Sequence, residues 1–364
     1  MRSRSQETEQ VTLGVDTHAE FHVAAALDER GQLLGFCTIP TTSAGFGELL
    51  RWAGQYGDVA RVGIEGTGCY GAGLARWLRA RGVAVLEVDR PDRRTRRRRG
   101  KSDTVDAEAA ARAVLAGIAT GQPKAGTGPM EMLRTLRVAR QSAMKARTQA
   151  ANELHALLVT APEAVRTQLR RLKVPQLVAT AAAFRLGPDL ATPTAATKAA
   201  LKSIARRYQH LSAEIDALDA HLEHLVAAAA PALMAIKGVG TDIATTLLTT
   251  AGDNPDRLAS EGSFAHLVGV APISASSGKT VRHRLNRGGD RQGNRALYLL
   301  AIGRMGWDPA TRAYVARRTT EGRTKPEIIR CLKRYIAREL YPLLVAITPT
   351  LGSATVLVNT SPAT

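Results

Sequence analysis

Four carboxylates stand where chemistry on phosphate esters would want them. Asp16 ends the apolar stretch leading into Gly14-Val15-Asp16-Thr17-His18, and Glu65 ends another in Gly63-Ile64-Glu65-Gly66-Thr67-Gly68. Asp103 and Asp106 follow in Lys101-Ser102-Asp103-Thr104-Val105-Asp106-Ala107. A spacing of three puts that last pair on one face of a helix. Carboxylates from two strand ends and one helix face can hold two hard cations about 3.5–4 Å apart, which stabilises both the attacking and the leaving oxygen of a phosphodiester displacement. The glycines around Glu65 leave room for a substrate to approach the backbone. Taken alone, Asp103 and Asp106 would be acids favoured at any helix N-terminus. All four in this order favour a shared site.

Cations cluster around the same region. Arg90 to Lys101 carry seven arginines and one lysine against one aspartate, a net +7. Such a run is commonly a solvated face. Inside a domain and next to a candidate cation site, phosphate contact by Arg93, Arg94, Arg96, Arg97, Arg98, Arg99 and Lys101 is the better reading. Gly238-Val239-Gly240, preceded by Lys237, lies between two helical patterns as in a helix-hairpin-helix element. There Gly238 and Gly240 would let backbone N–H groups and a helix N-terminus face phosphates without reading sequence. A third stretch, Gly269-Val270-Ala271-Pro272-Ile273-Ser274-Ala275-Ser276-Ser277-Gly278-Lys279, leads into Arg282, Arg284, Arg287, Arg291 and Arg295. Its chemistry leaves open a nucleophile, a phosphate-binding loop and a plain basic loop, and no His/Asp triad can be assigned although His283 is near.

The elements that must carry these residues can be read from periodicity. Residues 11–29 read as a strand, a tight turn and a second strand; 32–40, 61–64 and 83–89 read as three more, the last short, almost wholly apolar and buried on both faces. Helical patterns fall at about 42–56, 71–82 and 103–118, so a mixed sheet flanked by helices is expected. Strand signals then vanish from about 129 to 230. Leu201, Ile204, Tyr208, Leu211, Ile215, Leu218, Leu222 and Leu225 form an a/d seam, for which a helix at about 129–159 is a natural antiparallel partner. An intramolecular hairpin and a dimerising coiled coil fit this seam equally well. The stretch from Pro162 to Pro175 and that around Pro188–Thr197 read as turns between helices. The resulting division is 1–128, 129–230 and 231–350, with a small polar tail at 351–364.

Composition narrows the function classes. The chain has 364 residues and a formal net charge of +18 with a pI near 10.5, which argues for a polyanionic partner. At 45% hydrophobic and 23% charged it has the make-up of an ordinary globular protein. Cys37, Cys69 and Cys331 form neither a disulfide framework nor a CxxC zinc site. The N-terminal MRSRSQETEQ has no apolar core for a secretory signal, and the longest apolar stretch, Leu225 to Ile236, is too short to span a bilayer. Nucleic acid is therefore the expected partner, with no membrane.

GVDTH, GIEGTG, KSDTVDA, the helical middle, IKGVGTDIA, and GxAPxxxxSGK followed by RGGDRQGNRAL together resemble one family. From about Val11 to Leu344 the chain is similar to the DEDD-type insertion-sequence transposases of the IS110 (one-ten) family and their related site-specific DNA invertases. The resemblance implies an α/β, RuvC-like, ribonuclease-H-type domain, a helical coiled-coil connector, and a mainly helical C-terminal transposase domain. It implies that Asp16, Glu65, Asp103 and Asp106 bind Mg²⁺, as two ions with Mn²⁺ as a substitute, and that Ser277 is the nucleophile. It also implies action as a homo-oligomer, dimer or tetramer, on donor and target DNA. A structured non-coding bridge RNA would supply sequence choice by base pairing. Ser276, side by side with Ser277, is the other candidate nucleophile, and Glu108 a substitute ligand. The expected activity is metal-assisted DNA recombination through a transient phosphoserine, in a bacterial cytoplasm at the nucleoid. A RuvC-like hydrolytic nuclease and a catalytically silent nucleic-acid-binding protein are the alternatives.

Overall fold

The computed structural model describes residues 9–88, 102–188, 190–254, 257–279 and 283–346. Arg93, Arg94, Arg96, Arg97, Arg98, Arg99, Lys101 and Arg282 lie outside the described residues, as does the tail at 351–364. The chain divides into two compact units, 1–128 with 252–259 and 129–251 with 260–364.

The first unit is built on a five-stranded sheet of order β3-β2-β1-β4-β5, from β1 (Gln10–Thr17), β2 (Phe21–Leu27), β3 (Leu33–Pro40), β4 (Asp58–Glu65) and β5 (Ala84–Val88). β1 to β3 form an antiparallel meander, while β4 and β5 run parallel to β1. Side chains alternate across a strand, and the alternation in β1 sorts its residues by role. Val11, Leu13 and Val15 are buried in the main core, with Val62 and Ile64 of β4 and with Phe46, Leu49, Leu74 and Leu78 of helices α1 (Ser43–Ala53) and α2 (Ala72–Arg79). The alternate residues Thr12, Gly14 and Asp16 face the third helix, α3 (Asp103–Leu115), as do Gly63 and Glu65 of β4.

α3 approaches the sheet very closely. A Cβ on Gly14 would fall 2.1 Å from the Ala111 amide nitrogen and 2.2 Å from the Ala107 carbonyl oxygen. The helix presents Ala107, Ala110 and Ala111, all buried, so backbone rests on backbone. Ser102 caps it, accepting from the Val105 N–H at 3.3 Å, and sets the first turn on which Asp103 and Asp106 sit. β5 is covered on both faces as its apolar run leads one to expect, by Val85 in the main core and Val88 against Ala110 and Val114. It is nevertheless the sheet's edge, where its Glu87 N–H donates to the Gly121 carbonyl at 2.7 Å.

Residues 252–259 belong to this first unit, although the sequence groups them with 231–350. Asn254 accepts from Ala125 N–H at 3.0 Å and donates to the Pro123 carbonyl at 2.9 Å, Asp253 accepts from Gly128 N–H at 3.2 Å, and Arg257 donates to the Gln122 carbonyl at 3.0 Å.

The second unit is mostly helical. α4 (Pro129–Thr160) and α7 (Pro193–Ala229) pack along each other, and the ion pairs Arg140–Asp219 and Glu153–Arg207 fix them as antiparallel. The seam is thus used within the chain. Leu201, Ala205, Ile215, Leu222 and Val226 are buried, while Leu211, Leu218 and Leu225 stay half-buried, because a straight helix drifts from a strict heptad. The stretch expected to be a turn holds two short helices, α5 (Glu163–Leu169) and α6 (Val174–Ala182). Their Val165, Leu169, Leu177 and Val178 close one end of the hairpin against Leu154, Leu158 and Leu201. There follow α8 (Pro231–Met234), α9 (Thr241–Ala251), α10 (Glu261–Leu267), a two-residue pairing of β6 (Ile273–Ser274) with β7 (His283–Arg284), α11 (Arg291–Trp307), α12 (Pro309–Thr320) and α13 (Lys325–Val345). Among the described residues no helix is long and apolar enough to cross a membrane.

Gly14→Ala is expected to destabilise the protein in urea unfolding by about 1–3 kcal/mol, since backbone must shift to admit the methyl. Gly47→Ala, with nothing within 4 Å of the added carbon, should be neutral or slightly stabilising. Equal effects of the two substitutions would refute the close approach of α3.

Candidate functional site

The close approach of α3 to β1 brings its first turn over the end of the strand. There the Nε2 of His18 lies 3.3 Å from Oδ2 of Asp16 and 3.3 Å from Oδ2 of Asp103. One donor atom from each of these three residues falls within 4.8 Å of the others, the spacing of a cation's ligands. Asp106, one helical turn on, is only 4% exposed, and its charge and that of Asp103 both act on Asp16. Burial, chiefly, holds the Asp16 carboxyl above its ordinary range; His18 opposes this and the two neighbouring aspartates reinforce it. On the adjacent strand, the pairing of Val15 with Ile64 sets Asp16 beside Glu65, and Thr17 Oγ1 donates to the Glu65 carbonyl at 2.8 Å, tying the two strand ends together.

These residues suit a divalent cation. The buried Nε2 of His18 has carboxylates on two sides yet is aligned for a hydrogen bond with neither, and like-charged carboxylates converge where burial disfavours charge. A hard cation would relieve both. His18 was not singled out as a ligand from the sequence. The available signal was its position two residues after Asp16, which in extended chain returns it to the same side. Glu108 pairs with Arg112 at 2.6 Å, and Arg112 donates on to the Gly31 carbonyl at 3.0 Å.

The serine stretch belongs to the second unit, the acidic residues to the first. Ser276, Ser277 and Lys279 are exposed, and among the described residues Gly278 (φ 54°) has nothing within 4 Å of its Cβ position. The base of the stretch is clamped. The Asn294 amide donates to the carbonyls of Val268 at 2.7 Å and Gly269 at 3.3 Å, and its oxygen accepts from Lys333 Nζ at 2.8 Å. A Cβ on Gly289 would stand 2.2 Å from the Gly269 nitrogen. These contacts tie the downstream RGGDRQGNRAL to the base of the serine stretch. Arg284, Arg287 and Arg291 are exposed. Gly238 (φ 91°) turns the chain from the four-residue α8 into α9, and Lys237 Nζ lies 4.3 Å from the centre of the Trp307 ring. Gly240 has open space around it.

Residues 13–161 match the family profile of DEDD transposases of the IS110 type, described as "Transposase". Residues 230–316 match a second profile, "Transposase IS116/IS110/IS902 family". The chain belongs to the IS110 family of transposases. The first matched region contains Asp16, Glu65, Asp103 and Asp106, and the second contains Gly238, Gly240 and Ser277. Among curated proteins, the chain is 32% identical over 158 residues to the "Insertion element IS110 uncharacterized 43.6 kDa protein" of Streptomyces coelicolor, a match covering 43% of this chain and 37% of that protein. It is 28% identical over 144 residues to the "Insertion element IS900 uncharacterized 42 kDa protein" of Mycobacterium paratuberculosis, covering 39% and 36%. Each match thus spans about a third of the relative's own length.

Two outcomes are expected from this geometry. In chelator, Asp16→Asn should raise the Tm of this IS110-family chain, because it removes one of several converging carboxylates from a half-buried place. The same variant should lose most of the added stability that Mg²⁺ or Mn²⁺ gives the unsubstituted protein, about 2.7 kcal/mol at a hundredfold excess over Kd. A metal-induced shift of unchanged size would count against a site at Asp16. Asn294→Ala should cost about 1–3 kcal/mol, since it leaves two carbonyls and a half-buried lysine without their partner. Limited proteolysis after Gly269 should quicken in that variant, and an unchanged cleavage rate would remove Asn294 from its clamping role.

Proposed function

We propose that this chain is the DNA transposase of an insertion sequence, cleaving and rejoining strands through a covalent phosphoserine at Ser277. The observation that carries the reading is the convergence of Asp16, His18 and Asp103 around a buried, unsatisfied imidazole nitrogen, with Asp106 beside them. The sheet order β3-β2-β1-β4-β5, an antiparallel meander extended by two parallel strands, supports a RuvC-like, ribonuclease-H-type reading of the first unit. Asp16, Glu65, Asp103 and Asp106, joined by His18, would hold the cations, two Mg²⁺ ions or Mn²⁺ in their place. When bound, such ions would neutralise charge on the phosphate and on the leaving oxygen.

Ser277 Oγ would attack phosphorus and displace one strand's oxygen, conserving the ester bond for religation without ATP. Lys279, Arg284, Arg287 and Arg291, with Arg282, would offset charge building on the phosphoryl oxygens. The run Arg93, Arg94, Arg96, Arg97, Arg98, Arg99 and Lys101 and the Gly238–Gly240 turn, read as a helix-hairpin-helix, would contact backbone phosphates. Acids and serine lie in different units and would meet across a domain or subunit interface; a homo-oligomer, dimer or tetramer, is the proposed working form. A structured bridge RNA is proposed to choose donor and target sequences, and the net charge of +18 suits two nucleic-acid partners. Action at the bacterial nucleoid, in the cytoplasm, follows from those partners.

Ser277→Ala should abolish strand exchange without weakening DNA binding, while Ser276→Ala should retain activity. On nicked suicide DNA, a denaturing gel followed by peptide mapping should find the adduct on Ser277. An adduct on Ser276 would move the role by one residue. Cleaved DNA bearing no protein would replace transesterification with hydrolysis.

A further inference from the structure

Within the second unit, α4, α9 and α11 line an open cavity of about 250 Å³ whose wall is strongly cationic. Arg137, Arg140 and Lys145 line it from α4 and Arg295 from α11, against one lining carboxylate, Asp242. Arg140 is already matched: its guanidinium grips Asp219 and lies 3.6 Å from Asp242. Arg137, Lys145 and Arg295 have no carboxylate within 4.0 Å among the described residues. Arg137 is half-buried, its Nε is buried without a hydrogen-bond partner, and its fork reaches only Gln292 Oε1 at a long 3.4 Å. Burial, chiefly, pulls its pKa down; the charges of Asp242 and Asp290 oppose this, and those of Arg140 and Arg295 reinforce it. A half-buried guanidinium held only for packing would be expected to have a carboxylate across its fork, because leaving that charge unmatched is costly. This one instead lies beside two further cations, Lys145 and Arg295, that also have no carboxylate within 4.0 Å among the described residues. Met144 and Leu299 supply an apolar flank next to them.

We propose that this cavity seats a phosphodiester of a nucleic-acid strand, with Arg137 and Arg295 gripping the phosphate and the apolar flank against the sugar. Arginine's planar fork matches two phosphate oxygens, and Lys145 at the rim adds a point charge. Asp242, the lining carboxylate, lies 3.6 Å from Arg140. The inference rests on reading the chain as a nucleic-acid-processing protein, and assigns to it a contact apart from the acidic residues and from the serine loop.

The test titrates the full chain with a dye-labelled single-stranded DNA, and with an RNA of the same sequence, across a series of salt concentrations. Arg137→Gln/Arg295→Gln should lower the log–log salt slope by about 1.4–1.8, two contacts at roughly 0.7–0.9 each. The strand type showing the larger loss is the one seated there. Should the double variant fold poorly, Lys145→Gln/Arg295→Gln, both at exposed positions, should lower the slope by a similar amount. An unchanged slope in a folded variant overturns the cavity while leaving the transposase reading intact. So does an equal loss in Arg166→Gln/Arg312→Gln, exposed arginines on other helices, because bulk charge would then explain it. Failure of the unsubstituted chain to bind either strand overturns both readings.

Discussion

The first unit depends on one steric fact: β1 carries no side chain where α3 crosses it. With hydrogen at Gly14, the helix backbone rests on the strand, and alanines at 107, 110 and 111 keep the spacing equally tight along the helix. That contact does two things at once. It buries a helix with little apolar bulk of its own, and it delivers the first turn, with Asp103 and Asp106, to the end of the strand that carries Asp16. A bulkier interface would lift the helix and part the carboxylates. The site is therefore assembled by packing, and the repulsion among its acids is carried by that packing.

The second unit solves a different problem. Its serine stretch is exposed at residues 274–279, so burial does not stabilise it there. Its base is fixed instead by a polar chain, from Lys333 through Asn294 to the carbonyls at 268 and 269, and by glycine-on-glycine contact at 269 and 289. The restraint lies at the base, while the serines at 276 and 277 stay exposed.

Much of this was legible in the sequence because it is local. Period-two alternation located the strands, and the three-residue spacing put Asp103 and Asp106 on one face. What escaped depends on neighbours remote in sequence. A short, almost wholly apolar run cannot say whether it lies at the centre or the edge of a sheet, and β5 proved to be the edge. The heptad seam could not tell a partner helix in the same chain from one in another; the ion pairs from Arg140 and Arg207 decide that. The helices at 163–169 and 174–182 were masked by Pro162 just before the first and Pro175 in the first turn of the second. His18 escaped because a single histidine after a strand has no periodic signature, and Arg137 because an arginine on a long amphipathic helix looks solvated until the facing helices are known.

The return of residues 252–259 to the first unit bears on how the protein is made. Their hydrogen bonds to 122–128 close contacts that the first 128 residues cannot satisfy alone. On a ribosome adding about 5–20 residues per second, those partners emerge on the order of ten seconds after residue 128. During that interval the acid-bearing sheet is without its last segment, while the helical hairpin is being synthesised. The order of synthesis thus delays completion of the acidic unit until most of the chain that accompanies it already exists.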